Sequence, residues 1–178
     1  MKFRYPFLVL YFALAVQAGL AQNTYVPDNN FEQALVDLGY DSAVDDLVLT
    51  ENINAVTTLN IDSLSISDLM GIQDFTSLSN LDCSYNSLDT LDVSSNTSLT
   101  DLLCNDNQLT SLDVSNHTAL EKLRCNDNEL TSLNLANATA LWEVYCYGNQ
   151  LPGLDVSTNT GLEDLLCDRN QLTSLDVS

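Results

Sequence analysis

Five cysteines are the residues whose type and spacing most invite chemistry. Cys83, Cys104, Cys125, Cys146 and Cys167 are the only cysteines in the 178-residue sequence, and consecutive ones are 21 positions apart. A regular set of thiols can form disulfides or hold a soft metal. Three features weigh against both. The count is odd, no histidine falls in register, and there is no CxxC pair of the kind zinc uses. If the cysteines sit in coils stacked about 4.8 Å apart, their Cα atoms are near enough to bridge. Their Cβ vectors then run parallel, however, which strains the disulfide dihedral. The expected role is packing, as free thiols that are buried and slow to react and that behave as small hydrophobes. A disulfide or a metal ladder stays as the alternative.

The acidic residues come next. Asp92, Asp113, Asp155 and Asp176, with Asn134 replacing one, recur with the same period. Carboxylates at that spacing repel by roughly 1 kcal/mol or less in water, and a bound calcium ion would relieve this. No second column of acids is fixed beside them. The expectation is a solvated ladder bonded to nearby hydroxyls, with no metal assigned. Asp41, Asp45 and Asp46 faintly resemble a calcium loop, but Ala43 takes the third slot, no glycine follows, and Asn52 stands in the twelfth. His117 is the lone histidine and has no nucleophile fixed beside it. There is no glycine-rich phosphate loop, paired-carboxylate cleft or basic patch. No cofactor and no catalytic residue is assigned, and the chain is not expected to be an enzyme.

These columns imply a repeat, and the repeat implies the fold. Four units run without a gap from Leu78, Leu99, Leu120 and Leu141, and a fifth from Leu162 stops at Ser178. Their common pattern is LxxLxCxxNxLxxLDVSxxTx. Each unit holds two halves, LxxLxC and LxxLDV, and the last apolar pair in each alternates in–out–in, as a short strand does. Runs this short cannot stand alone as a helix or strand, so each unit must be one coil resting on the next. The expected fold is mainly β: a parallel solenoid with two narrow sheets and a short helical N-terminal cap. Val93, Val114, Leu135, Val156 and Val177 fill the second half at the slot that cysteine fills in the first.

Asn86, Asn107, Asn128, Asn149 and Asn170 follow each LxC strand where the chain must turn. An amide both donates and accepts, so this column is expected to satisfy backbone groups at a buried corner. Thr76, Thr97, Thr118, Thr139 and Thr160 are expected to do the same at the other corner.

This pattern resembles the leucine-rich repeat, whose LxxLxLxxNxL core allows cysteine at the last apolar slot. The resemblance covers Val56 to Ser178 and holds five times in fixed register. The 21-residue form with its LxxLDV half looks like the irregular bacterial class common in secreted proteins of Bacteroidetes. The resemblance implies a binding scaffold in which no repeat residue is catalytic.

Residues 1–21 read as a secretory signal: Lys2 and Arg4, an apolar run from Phe7 to Val16, then small residues at Ala18 and Ala21. The run is too short to span a bilayer comfortably, so no membrane insertion is expected after cleavage. A secreted or cell-surface location follows. Once Lys2 and Arg4 leave, Lys122, Arg124 and Arg169 alone face 25 acids. Such a field repels nucleic acid and anionic lipid.

Residues 22–55 read as a cap. Asn29 with Glu32 can form a capping box, Phe31, Ala34, Leu35 and Leu38 share an apolar face, and Gly39 can end the helix. "TENINAV" from Thr50 suggests one further helical turn. Residues 56–77 form a degenerate first coil, carried by Val56, Leu59, Ile61, Leu64, Ile66, Leu69 and Ile72, and residues 78–178 form the cysteine repeats. The stop in mid-unit suggests a fragment of a longer protein with further repeats and a sorting module, or else end-to-end stacking with another chain.

Function is expected where the repeat varies. The outward slot of the LxC strands holds Asp82, Leu103, Arg124, Tyr145 and Leu166, with Lys122 and Trp142 beside it and Tyr147 and Arg169 past the strand. Exposed aromatics mixed with arginine have the composition of a protein-binding hot spot. The expected partner is a protein, bound through Leu103, Lys122, Arg124, Trp142, Tyr145, Tyr147, Leu166 and Arg169. A glycan stacked on the aromatics, and a spacer displaying a further domain, are the alternatives.

Overall fold

A computed structural model describes residues 22–177; the expected signal segment lies outside them. The described chain opens with β1 (Asn23–Tyr25), α1 (Asn29–Asp37), β2 (Leu47–Leu49), which pairs antiparallel with β1, and α2 (Thr50–Ile53). Asp28, not Asn29, caps α1. Its Oδ1 accepts from the backbone N–H groups of Asn30 and Phe31 at 2.9 and 3.0 Å, and a carboxylate there also meets the positive end of the helix dipole. Phe31, Ala34 and Leu35 are buried, but Leu38 is 48% exposed, because it is the C-cap, where the chain turns away from the core. Gly39 takes φ +80° there. The N–H groups of Gly39 and Tyr40 bond back to the carbonyls of Val36 and Leu35, a Schellman closure.

The cap is stapled to the first coil. Asp28 Oδ2 accepts from the Ser67 N–H and hydroxyl, both at 2.8 Å, and from the Asp68 N–H at 3.1 Å. Burial pushes the Asp28 carboxyl up, but these bonds outweigh it and hold the group below the ordinary carboxylate value. The rings of Phe31 and Phe75 lie 6.3 Å apart, centroid to centroid, across the junction. Gly71, at φ +105°, passes so close to β1 that a Cβ would meet the Tyr25 carbonyl at 2.9 Å. Only glycine fits this crossing.

The solenoid strands are all three residues long. They are β3 (Thr58–Asn60), β4 (Asn80–Asp82), β5 (Asp101–Leu103), β6 (Ser111–Asp113), β7 (Lys122–Arg124), β8 (Ser132–Asn134), β9 (Glu143–Tyr145), β10 (Gly153–Asp155), β11 (Asp164–Leu166) and β12 (Ser174–Asp176), with a 3₁₀ turn at Ile72–Asp74 between β3 and β4. The LxC strands form one continuous parallel sheet, β3-β4-β5-β7-β9-β11. The LDV side forms only two separate pairs, β6-β8 and β10-β12. The break has a local cause. Thr131 and Thr173 each donate a backbone N–H to the coil before, but Pro152 in the same slot has no N–H to donate.

Between the sheets runs one apolar core, from Val26 to Val156. Each coil from Leu78 to Val156 inserts its central leucine or valine, its cysteine and its LDV pair, at about 1.5–3 kcal/mol for each large side chain buried, whereas Leu175 and Val177 of the last coil are exposed. Leu64 breaks the inward rhythm and is 42% exposed. It occupies the turn slot that asparagine holds in later coils, between Ser63 and Ser65, both at φ +59°. Left-handed backbone also recurs in every later coil, at Tyr85, Asp106, Asp127, Gly148 and Arg169. The turn after each LxC strand therefore requires a conformation that costs L-residues roughly 1–2 kcal/mol, and only one coil meets it with glycine.

Candidate functional site

Strand pairing puts the variable residues in rows. Asp101, Lys122, Glu143 and Asp164 are direct cross-strand neighbours, as are Leu103, Arg124, Tyr145 and Leu166. The residue between them, buried in β5, β7 and β9 and half-buried in β11, anchors both rows to the core. Lys122, Arg124 and Arg169 each stack on an aromatic ring of an adjacent coil. Lys122 lies over Trp142 at 5.2 Å, Arg124 over Tyr145 at 5.0 Å and Arg169 over Tyr147 at 4.8 Å.

Acids complete the network. Arg124 Nε donates to Glu143 Oε1 at 2.9 Å, and this bond holds the guanidinium above its usual value. Tyr145 donates its hydroxyl to Asp164 at 2.7 Å, which raises the phenol above its usual value. Lys122 lies 3.8 Å from Asp101, and Arg169 lies 3.5 Å from both Asp127 and Asp168. The exposed apolar member is Leu166, while Leu103 is half-buried in the same row. Sequence reasoning singled out the cations and aromatics but not their anionic partners. Their signal was an acid one coil away in the same or adjacent slot, visible only once the register is known. The arrangement holds cations, rings and acids in pairs across adjacent coils.

The remaining columns are structural in geometry. Cys83, Cys104, Cys125 and Cys146 are buried free thiols, and Cys167 is half-buried. Burial pushes the Cys146 thiol up to about 12, and Cys83, Cys104 and Cys125 are raised strongly by the same cause. Asn128 shows the turn ladder. Its Nδ2 donates to the carbonyls of Cys104 and Cys125, and its Oδ1 accepts from the Leu109 N–H at 2.9 Å. Asn86, Asn107, Asn149 and Asn170 repeat this pattern.

At the opposite corner the expectation for threonine is corrected. Thr97, Thr118, Thr139 and Thr160 are exposed, and Thr76 makes one long bond, to the Asn54 carbonyl at 3.2 Å. The slot just before them is buried and does the work. Asn96 donates to the carbonyls of Ile72 and Phe75, His117 Nε2 bonds the Val93 carbonyl at 3.0 Å, and Asn159 donates to those of Leu135 and Ala138. His117 is thus a corner bracket. The missed signal was Asn at two of its four sister positions.

The Asp column lies on the interrupted LDV side. Asp92, Asp113 and Asp155 each accept from the backbone N–H of the serine two residues on. Bonds to the Ser94 hydroxyl and N–H hold Asp92 below the usual carboxylate value, and bonds to the Ser115 N–H and hydroxyl do so for Asp113.

The structure of a domain of internalin J from Listeria monocytogenes, described as including a cysteine ladder, superposes with a TM-score of 0.80 at 37% identity over 88% of this chain. This is a leucine-rich repeat protein. The curated internalin J of L. monocytogenes serotype 4b is 39% identical over 80 residues, or 44% of this chain. A leucine-rich repeat protein of Leptospira interrogans shares the fold at 22% identity and a TM-score of 0.66, over 68% of this chain. The chain spans 36% of the internalin J domain structure and 9% of the whole curated protein. No protein-family model matches it. Among the described residues, no helix of this leucine-rich repeat protein is long and apolar enough to cross a membrane.

Proposed function

We propose that this leucine-rich repeat protein is a secreted or cell-surface recognition scaffold of the irregular bacterial class, which binds a protein through the outer face of its continuous sheet. The observation that carries this reading is the set of three cation–aromatic stacks on adjacent coils, Lys122–Trp142, Arg124–Tyr145 and Arg169–Tyr147. Aromatics and arginines held rigid before binding lose little entropy on contact, as hot-spot residues should. One side of each ring already carries a cation, so part of the platform a sugar would stack on is occupied. This favours a protein ligand over a glycan. The likeness to internalin J supports a scaffold role.

The test is a binding screen of the immobilised protein against arrays of extracellular proteins and of glycans, repeated with Trp142→Ala/Tyr145→Ala. A protein ligand whose binding falls by roughly 1,000-fold in the variant supports the face, since two hot-spot residues are worth roughly 2 kcal/mol or more each. Binding left unchanged would place the contact on another face, and no ligand on either array would point to a spacer.

A further inference from the structure

We propose that Glu32, Asp41 and Asp45 form a calcium site that pins the N-terminal cap, a site independent of the binding face. The three come from different places: Glu32 from α1, Asp41 from just beyond its end, and Asp45 from the approach to β2. Each can offer one carboxylate oxygen such that the three oxygens lie within 4.8 Å of one another. Oxygens around calcium, at 2.3–2.6 Å from the ion, lie up to about 5 Å apart, whereas the tighter magnesium shell reaches about 4 Å. An all-oxygen, all-carboxylate set suits a hard divalent ion and not zinc or copper.

Two observations set this cluster apart from ordinary surface acids. The first is Glu32, which is fully buried, at 0% exposure. Its Oε1 accepts from the backbone N–H groups of Asp45 and Leu47, while its Oε2 is buried with no partner. Asp41 repeats the pattern, with Oδ1 on the Ser42 N–H and Oδ2 buried without a partner. Asp45 Oδ1 accepts from the Leu47 N–H at 3.3 Å. One oxygen of each carboxylate is thus held by backbone, which aims the group and leaves its second oxygen as a ligand.

The second observation is the missing counter-charge. No lysine or arginine occurs between residues 5 and 121. Lys122, Arg124 and Arg169 are engaged on the far coils. Two carboxylates gathered around a buried third favour a cation among them, and this stretch of chain supplies none. Water and loop carbonyls would complete the shell.

The experiment is a calorimetric titration of the metal-stripped protein with calcium chloride in about 0.15 M sodium chloride, which screens diffuse binding to the acidic surface. It is paired with melting curves in EDTA and in calcium. One saturable site is expected, with Tm rising by roughly 3–8 °C at saturating calcium. Asp41→Asn/Asp45→Asn, in the loop after α1, should abolish both effects with the circular dichroism spectrum unchanged. Glu32→Gln should also lose the calcium response and melt higher than wild type in EDTA, because it removes the buried charge. Asp92→Asn/Asp113→Asn should keep the response. Identical melting in EDTA and calcium, a calcium shift that survives in Asp41→Asn/Asp45→Asn, or an equal shift from magnesium would overturn the assignment.

Discussion

Arg124 and Glu143 stand 19 residues apart in sequence, yet the arginine Nε donates to the glutamate Oε1 at 2.9 Å. Glu143 is 6% exposed, whereas the Arg124 side chain remains 42% exposed. The pair therefore joins a desolvated charge to a solvated one, between the limits of a surface and a buried salt bridge. Arg124→Ala should cost about 1–2 kcal/mol, because it strands a buried carboxylate. Glu143→Gln should cost less, about 0.5–1 kcal/mol, since the amide oxygen still accepts. Urea midpoints of the two variants and of Arg124→Ala/Glu143→Gln measure the coupling; a double variant costing the full sum of the singles would show the pair to be uncoupled.

The asparagine ladder sets a larger effect. Asn128→Ala strands the buried Leu109 N–H and takes one donor from each of the Cys104 and Cys125 carbonyls, which keep Asn107 and Asn149. The expected loss is about 2–4 kcal/mol, because the stranded N–H costs on the order of 1–3 kcal/mol and each lost bond to a still-paired carbonyl about 0.5 kcal/mol. Asn128→Asp should do no better, since it cannot donate to those carbonyls. Asn105 bonds only its neighbour Asp106 on the rim, so Asn105→Ala should stay within about 0.5 kcal/mol. Thermal and urea denaturation of the three variants provide the comparison.

The thiol column predicts alkaline lability. The folded state holds the buried thiols protonated, with Cys146 pushed up to about 12 and Cys83, Cys104 and Cys125 also raised by burial, from an ordinary value of 9.0. A raised folded value gives stability that is complete below pH 9 and falls as pH climbs towards the folded value, because unfolded thiols ionise first. Each buried thiol then withdraws about 1.4 kcal/mol per pH unit above 9. Urea midpoints of the reduced protein at pH 8, 9 and 10 should fall steeply over the last interval. A thiol count in denaturant without reductant should give five, and in the native protein Cys167, the half-buried member, should react first.

The repeat made most of the fold legible in the sequence. A period of 21 with two apolar triplets per unit allows one solution, stacked coils, so the parallel sheet and the inward cysteines follow from the pattern. What the pattern misplaced were single slots. Asn29 and Asp28 are both good N-caps, and only the geometry with Ser67 and Asp68 selects Asp28. Threonine and the residue before it both sit at the second corner, and burial alone assigns the bracket to Asn96, His117 and Asn159. Leu64 looked like core because its type is apolar, yet it falls in a left-handed turn. Asp41 and Asp45 were visible as acids, but Glu32 enters their cluster from a helix, which linear spacing cannot report.

The sequence by itself determined the coil, the identity of its inward slots and the columns that vary, because a one-dimensional stack repeats its local physics every 21 residues. The tertiary structure decided which varied residues meet: Arg124 with Glu143, Lys122 with Trp142, Glu32 with Asp41 and Asp45. Such pairings depend on the direction each side chain leaves its coil and on which backbone N–H groups have already claimed its oxygens. Both are set by the stacked neighbours and not by the residue's place in the repeat.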